Sequence, residues 1–228
     1  MKTKCFIFLL LSFIATSHAF ENFDQAFAQM RHRYNLGHYK RIIAIAPEAL
    51  KFSKNAKQKY QVLYYKGLAL DALQNFWQAE QVFKEAAKLE DVSSEQKLQL
   101  AYHYIKSQYA NGHFVSALKN AEQYSEFTDK PSVLHLNILL LAIESAVQLN
   151  QNEKALKLAE KLEKITVSNS AWHYRGLIMQ VQILCATKNY KQAEQIMSIK
   201  KLKQIPVAIR SEFFAWQGFC NEKNNKLI

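Results

Sequence analysis

Five phrases recur along this chain at an almost fixed step: LGHYKRIIAIA around Ile42, QNFWQAEQVF around Ala79, NGHFVSALKNA around Ala117, NQNEKALKLA around Ala155 and KNYKQAEQIM around Ala193. The first step is 37 residues and the next three are 38. A period of that length marks one supersecondary unit built repeatedly. Each copy buries its apolar face only against its neighbours, so the chain is expected to grow by stacking and not around a single centre.

The unit reads as helical. Five glycines and three prolines in 228 residues leave few breaks, and no stretch alternates as a strand would. Apolar residues recur at three and four instead, as in Tyr60, Leu63, Tyr64, Gly67 and Leu68, or in Leu134, Ile138, Leu141, Ile143 and Val147. Polar breaks precede each recurring phrase, at Asn35 to Gly37, Gln74-Asn75, Asn111-Gly112, Asn150 to Asn152 and Lys188-Asn189. A second set, at Asp91 to Ser94, Thr128 to Ser132 and Val167 to Ser170, is rich in capping residues, and Ser93 followed by Gln96 fits a capping box. Each unit is therefore two antiparallel helices joined by a short turn. The expected fold is all-α: an α-solenoid of helix hairpins, about five and a half repeats of ~38 residues over 20–228. The sixth repeat has a first helix, near Ser211 to Asn221, and no second one.

In this pattern the chain resembles the tetratricopeptide repeat family from Phe23 onward. That family places small and aromatic residues at fixed offsets across a helical hairpin. Gly67, Phe76, Ala79, Phe83 and Ala86 stand at those offsets in the second unit, and the other units keep Phe114 and Ala117, Ala155 and Ala159, Tyr190 and Ala193, and Gly37 with Tyr39. The period exceeds the family's 34 by about one helical turn, placed at the start of each first helix. The family's other glycine and proline sites are mostly filled differently, which makes these divergent repeats.

The resemblance implies a concave wall of first helices on which a protein or peptide docks. The family's groove-facing columns, carried onto this chain, give Phe27, Tyr64, Tyr102, Leu140 and Ile178 as one row. Gln61, Gln99, Asn137 and Arg175 form a second, and Arg31, Lys106, Glu144 and Gln182 a third, with Tyr34 and Tyr109 on the same wall. Aromatic contact area beside amide hydrogen-bonding groups suits an extended peptide, while an equal alternative is that Tyr64 and Tyr102 pack between consecutive first helices. Tyr102 and Lys106 do not match the carboxylate-clamp subtype of the family, so recognition of a free C-terminal carboxylate is not expected.

Motifs for chemistry are scarce. Glycines at 37, 67, 112, 176 and 218 build no phosphate loop, and there is no G-x-S-x-G elbow. The histidines at 32, 38, 103, 113, 135 and 173 show no H-E-x-x-H and no cysteine at ligand spacing, so no metal or other cofactor is expected. His38 and His113 share a slot beside the turn and read as structural. Dispersed charges, apart from Lys200, Lys201 and Lys203, favour a solvated surface over a nucleic-acid stripe.

The first nineteen residues read as a secretory leader. Lys2 and Lys4 precede the apolar run Cys5 to Ile14, and Ser17-His18-Ala19 offers small residues at both recognition positions. Cys5 opens the run instead of following it, so lipid modification is not expected. The run is too short to span a membrane, and Val133 to Val147 reads as a buried helix. Removing Lys2 and Lys4 lowers the net charge from +11 to +9. Cys185 and Cys220 then remain. Two exported thiols can pair, but both lie in apolar helical stretches, where cysteine commonly serves as a small buried hydrophobe.

These readings point to an exported, periplasmic or secreted, non-enzymatic binding scaffold, with envelope assembly as one setting. The alternative is the extracytoplasmic sensory module of a membrane-bound signalling protein, of the diguanylate cyclase or histidine kinase type, without its transmembrane and output parts. In the last helix Phe213, Phe214, Ala215, Trp216, Phe219 and Cys220 spread over more than one face. That width implies either self-association through this helix or further repeats beyond it. Protein recovered from its native host is expected to begin at Phe20, which intact mass measures directly. A species that retains Met1 to Ala19 would overturn the assignment.

Overall fold

The computed structural model describes residues 20–125, 131–198 and 205–225. The expected leader, the turn residues Thr128, Asp129 and Lys130, and the cluster Lys200, Lys201 and Lys203 lie outside the described residues. Within them the chain forms eleven helices and no strand: α1 (Phe23–Asn35), α2 (Tyr39–Phe52), α3 (Ala56–Ala72), α4 (Phe76–Ala86), α5 (Ser94–Ala110), α6 (Phe114–Ser125), α7 (Val133–Gln148), α8 (Asn152–Ile165), α9 (Ala171–Ala186), α10 (Tyr190–Ser198) and α11 (Val207–Asn225).

Short polar side chains start the odd-numbered helices from α1 to α9. Asn22, Asn55, Ser93, Ser132 and Ser170 each accept a hydrogen bond from the backbone N–H three residues on, satisfying a donor that the first turn leaves open. Ser93 and Gln96 form the expected capping box, and Ser132 forms another with His135.

The turns that end these helices are alike. Gly37, Gln74, Gly112, Asn150 and Lys188, spaced as the repeated phrases are, all have positive φ, between 57° and 76°. In each case the next residue donates its N–H back five positions, as His38 does to Arg33 and Asn189 to Leu184. The left-handed residue also donates back three positions, as Gly37 does to Tyr34. This double closure is the Schellman motif, and it reverses the chain into the following even helix. Glycine fits the left-handed slot without a Cβ clash, and asparagine tolerates it.

Each helix packs on its neighbours in sequence. Odd helices also touch the next odd helix, from α1 with α3 to α9 with α11, whereas no even backbone packs on another among the described residues, and α6 and α8 meet through the ion pair of Lys154 with Glu122 at 2.7 Å. The odd helices thus make one continuous wall, with the even helices set apart behind it. The core is accordingly four successive clusters, reached in chain order from Phe23 to Cys220.

Inside each hairpin two helices meet without clearance. Ile42, Ala79, Ala117, Ala155 and Ala193, the recurring positions, are all 0% exposed. One turn on, Ala46, Phe83, Ala121, Ala159 and Met197 are equally buried and stand at the same step from Met30, Gly67, Ile105, Ile143 and Val181 on the odd helices. In the second hairpin the usual sizes are exchanged. A Cβ on Gly67 would lie 2.4 Å from the Phe83 ring, so the ring from α4 fills the space that Ile105 and Ile143 fill from α5 and α7. Gly176 marks an approach of backbone to backbone, since a Cβ there would stand 2.7 Å from the Glu163 backbone nitrogen.

The last helix is longer than the sequence suggests, running over Val207–Asn225. Ile209, Phe213 and Cys220 are buried against α9 and α10, while Phe214 and Phe219 remain 38% and 37% exposed. No described helix is long and apolar enough to cross a membrane.

Exchanging the pair across the second hairpin checks this packing scheme. Phe83→Ala alone is expected to cost about 3–5 kcal/mol through the cavity it leaves, and Gly67→Ile alone should overpack the site. The double variant copies the Ile105 and Ala121 arrangement and should recover much of the loss in a double-mutant cycle of urea midpoints. Strictly additive losses would show that the two positions do not share one space.

Candidate functional site

The expected groove residues stand on the wall of odd helices, and its two halves differ. Toward the N-terminus the side chains are occupied with one another. Phe27 stacks on Phe23 with 5.5 Å between centroids and meets the edge of Tyr65, which also lies 5.3 Å from Tyr34. Tyr64 stacks on Tyr60, and its hydroxyl lies 3.4 Å from His103 Nε2. Tyr60 donates to Gln99 Oε1 at 2.7 Å, and Lys106 Nζ reaches Asp71 Oδ2 at 2.6 Å. Tyr102 lies against the ring of His103. Tyr64, Gln99 and Lys106 are therefore used largely in joining α3 to α5, while Tyr102 packs against the cluster that α5 shares with α7. For Tyr64 and Tyr102 this is the packing alternative that the sequence left open.

His103 sits at the centre of this cluster. Burial pushes its pKa down to about 4, with the Asp71 carboxylate opposing and the Lys106 ammonium assisting. Its ring stacks on Phe83 at 5.3 Å, so the imidazole belongs to the hairpin core as much as to the wall. Nδ1 of His103 and Oδ1 of Asp71 are buried without a protein partner.

Toward the C-terminus the wall opens into a cavity of about 330 Å³ between α5, α7, α9 and α11. Six expected residues line it: Tyr109, Leu140, Glu144, Arg175, Ile178 and Gln182. Leu140, Ile178, Met179 and Ile183 supply an apolar floor, and Gln148, Asn152 and Glu212 complete the rim. Burial raises the pKa of the Glu144 carboxyl, and the Arg175 guanidinium partly offsets that rise. The Tyr109 hydroxyl is pushed up by burial and by the Glu144 charge, with a hydrogen bond to Gln148 acting the other way. The arrangement is an apolar slot with two acids, Glu144 and Glu212, and one base, Arg175, at its mouth, able to hold an amphipathic side chain or a small polar ligand. Arg31 is exposed at the N-terminal end of the wall, and half-buried Gln61 and Asn137 lie outside the cavity lining.

Some of the missed residues were within reach of the sequence. Asp71 stands 37 residues after Tyr34 and 38 before Tyr109, in one column with both. Tyr65 and His103 form a column beside Tyr64 and Tyr102, and Glu212 lies one step of 37 beyond Arg175. No periodic signal singles out Gln148 or Met179, whose place on the lining follows from how α7 and α9 are rotated in the stack.

The described residues hold no group of three or more His, Cys, Asp or Glu side chains arranged for a metal ion. His38 and His113 begin α2 and α6, where His113 Nδ1 lies 3.0 Å from Glu80 Oε2. No family model matches the chain, and no curated protein matches it.

The buried imidazole sets a pH dependence. Its folded pKa lies below the ordinary value of 6.5, so the unfolded chain binds the proton more readily. Stability is fully present above about pH 6.5 and falls as the pH drops toward 4, by ~3 kcal/mol at most from this group. Glu144, raised, acts in the opposite sense. Urea midpoints of the parent between pH 7.5 and 4.5 should therefore fall more steeply than those of His103→Gln, and equal slopes would refute a buried neutral His103.

Proposed function

We propose that this chain is an exported, non-enzymatic scaffold of the tetratricopeptide-like, α-solenoid kind, which binds a segment of another protein on its wall of first helices. The cavity between α5, α7, α9 and α11 carries this reading, because Tyr109, Glu144, Arg175 and Gln182, which the resemblance to the repeat family implies for the groove, line it. The contact pattern supports a repeat array, since each hairpin meets only its neighbours. The docked segment lies along the wall and inserts one amphipathic side chain into the apolar slot, its polar end facing Glu144 and Arg175. The N-terminal half of the wall acts as a rigid platform, being closed by its own contacts. Cleavage after Ala19 and a place in envelope assembly belong to the same proposal. So does self-association through exposed Phe214 and Phe219 on α11.

One observation favours a second reading. A cavity of about 330 Å³ falls in the size range of small-ligand sites, which suits an extracytoplasmic sensory module. The two readings separate by what protects the protein, an envelope polypeptide or a small-molecule fraction.

Capture from an envelope extract, followed by titration of the captured protein, tests the leading reading. Tyr109→Ala and Arg175→Ala are each expected to weaken binding by about 1–3 kcal/mol, roughly ten-fold or more, with little change in melting temperature. Tyr64→Ala should instead lower the melting temperature. Unchanged affinity in both cavity variants would remove this site from partner binding.

A further inference from the structure

We infer that Cys185 and Cys220 form a disulfide in the exported protein, a covalent staple between α9 and the last helix, α11. Their sulfurs stand 3.3 Å apart across the contact of the two helices. A bonded pair needs about 2.05 Å, a difference that small side-chain rotations can supply. Once the leader is removed Cys5 is gone, and these two are the only cysteines left in the chain. The inference rests on the proposed export, because an oxidising compartment supplies the electron acceptor.

Burial dictates when the bond forms. Cys185 is 7% exposed and Cys220 0%, and burial pushes the Cys220 thiol up to about 12. In the folded chain the attacking thiolate is therefore scarce and shielded. The reaction belongs to folding, before α11 has docked. The Cys185 thiolate attacks the disulfide of an exported dithiol–disulfide oxidoreductase, giving a mixed disulfide and one enzyme thiolate. As α11 closes on α9, the Cys220 thiolate attacks the Cys185 sulfur and expels the second enzyme thiolate. Two protons leave the chain, and two electrons pass to the enzyme, which ends as a dithiol.

The staple also acts on the binding wall. Glu212 reaches the cavity rim from α11, which hydrogen bonds from Gln217 to the Met197 carbonyl and from Asn224 to Glu194 tie to α10. A bond to Cys185 fixes α11 to α9, the helix that carries Arg175. The rim then keeps its spacing even where terminal units of a stack open most readily.

The test uses the full chain, leader included, expressed into an oxidising compartment. Recovered protein is denatured, treated with iodoacetamide with and without prior reduction, and weighed intact. No adducts before reduction and two after it are expected, with a melting temperature about 5–15 °C higher in the oxidised form. Cys220→Ala should abolish that redox-dependent shift. Two adducts without reduction, on protein whose leader has been removed, overturn the inference. Protein that keeps its leader tells against export instead. It is then reduced and refolded in a glutathione buffer, where an intramolecular bond supports the pairing, and free thiols or glutathione adducts refute it.

Discussion

Everything in this structure depends on the close approach of two helices inside each hairpin. The residues at Ile42, Ala79, Ala117, Ala155 and Ala193 have no exposed surface, and the left-handed turn before each of them fixes the angle at which the second helix returns. A larger side chain at one of the alanines would push the helices apart and tilt the odd helix away from its neighbour in the wall. Because interiors are packed at crystal-like density, such a shift is not absorbed locally. The second hairpin shows the constraint from the other side. Phe83 takes a space that only a glycine opposite can leave, so the volume is conserved although neither residue is.

The wall makes two different surfaces from one repeat. Between α3 and α5 an ion pair, a tyrosine-to-glutamine hydrogen bond and a chain of edge-on aromatic rings satisfy the polar groups and leave little room. Between α7 and α9 the ion-pair contact that Lys106 makes with Asp71 has no counterpart, and Glu144 and Arg175 influence each other only at longer range. The half-buried Glu144 carboxylate without a direct mate costs desolvation, which the exposed Arg175 guanidinium offsets in part.

Polar links between units appear where the apolar ones stop. Glu80 on α4 accepts hydrogen bonds from Asn111 at 2.7 Å and His113 at 3.0 Å in the following turn, and Glu194 on α10 accepts one from Asn224 on α11. Both glutamates occupy the same place in their repeats, where the middle units carry Leu118 and Leu156. Leu118 is buried there, and the central units carry their charged link elsewhere, between Glu122 on α6 and Lys154 on α8 at 2.7 Å.

The sequence by itself determined the helices and the turns between them, since capping residues and apolar spacing are local properties that a linear chain displays openly. The resemblance to the repeat family, carried along the step, pointed to Tyr109, Glu144, Arg175 and Gln182, and Asp71 and Glu212 lie on columns that the same step reaches. Only the tertiary structure decided which part of that wall is open. Tyr64 and Tyr102 look like Tyr109 in the sequence, yet Tyr64 meets the edge of His103 from the next odd helix and Tyr102 packs against the apolar cluster, while Tyr109 lines the cavity. The adjacency of Cys185 and Cys220 was decided in the same way. A column says which face a side chain takes, but its neighbour across the stack depends on the rotation and offset of the next hairpin, and those are set by the summed packing of side chains 30 to 40 residues apart.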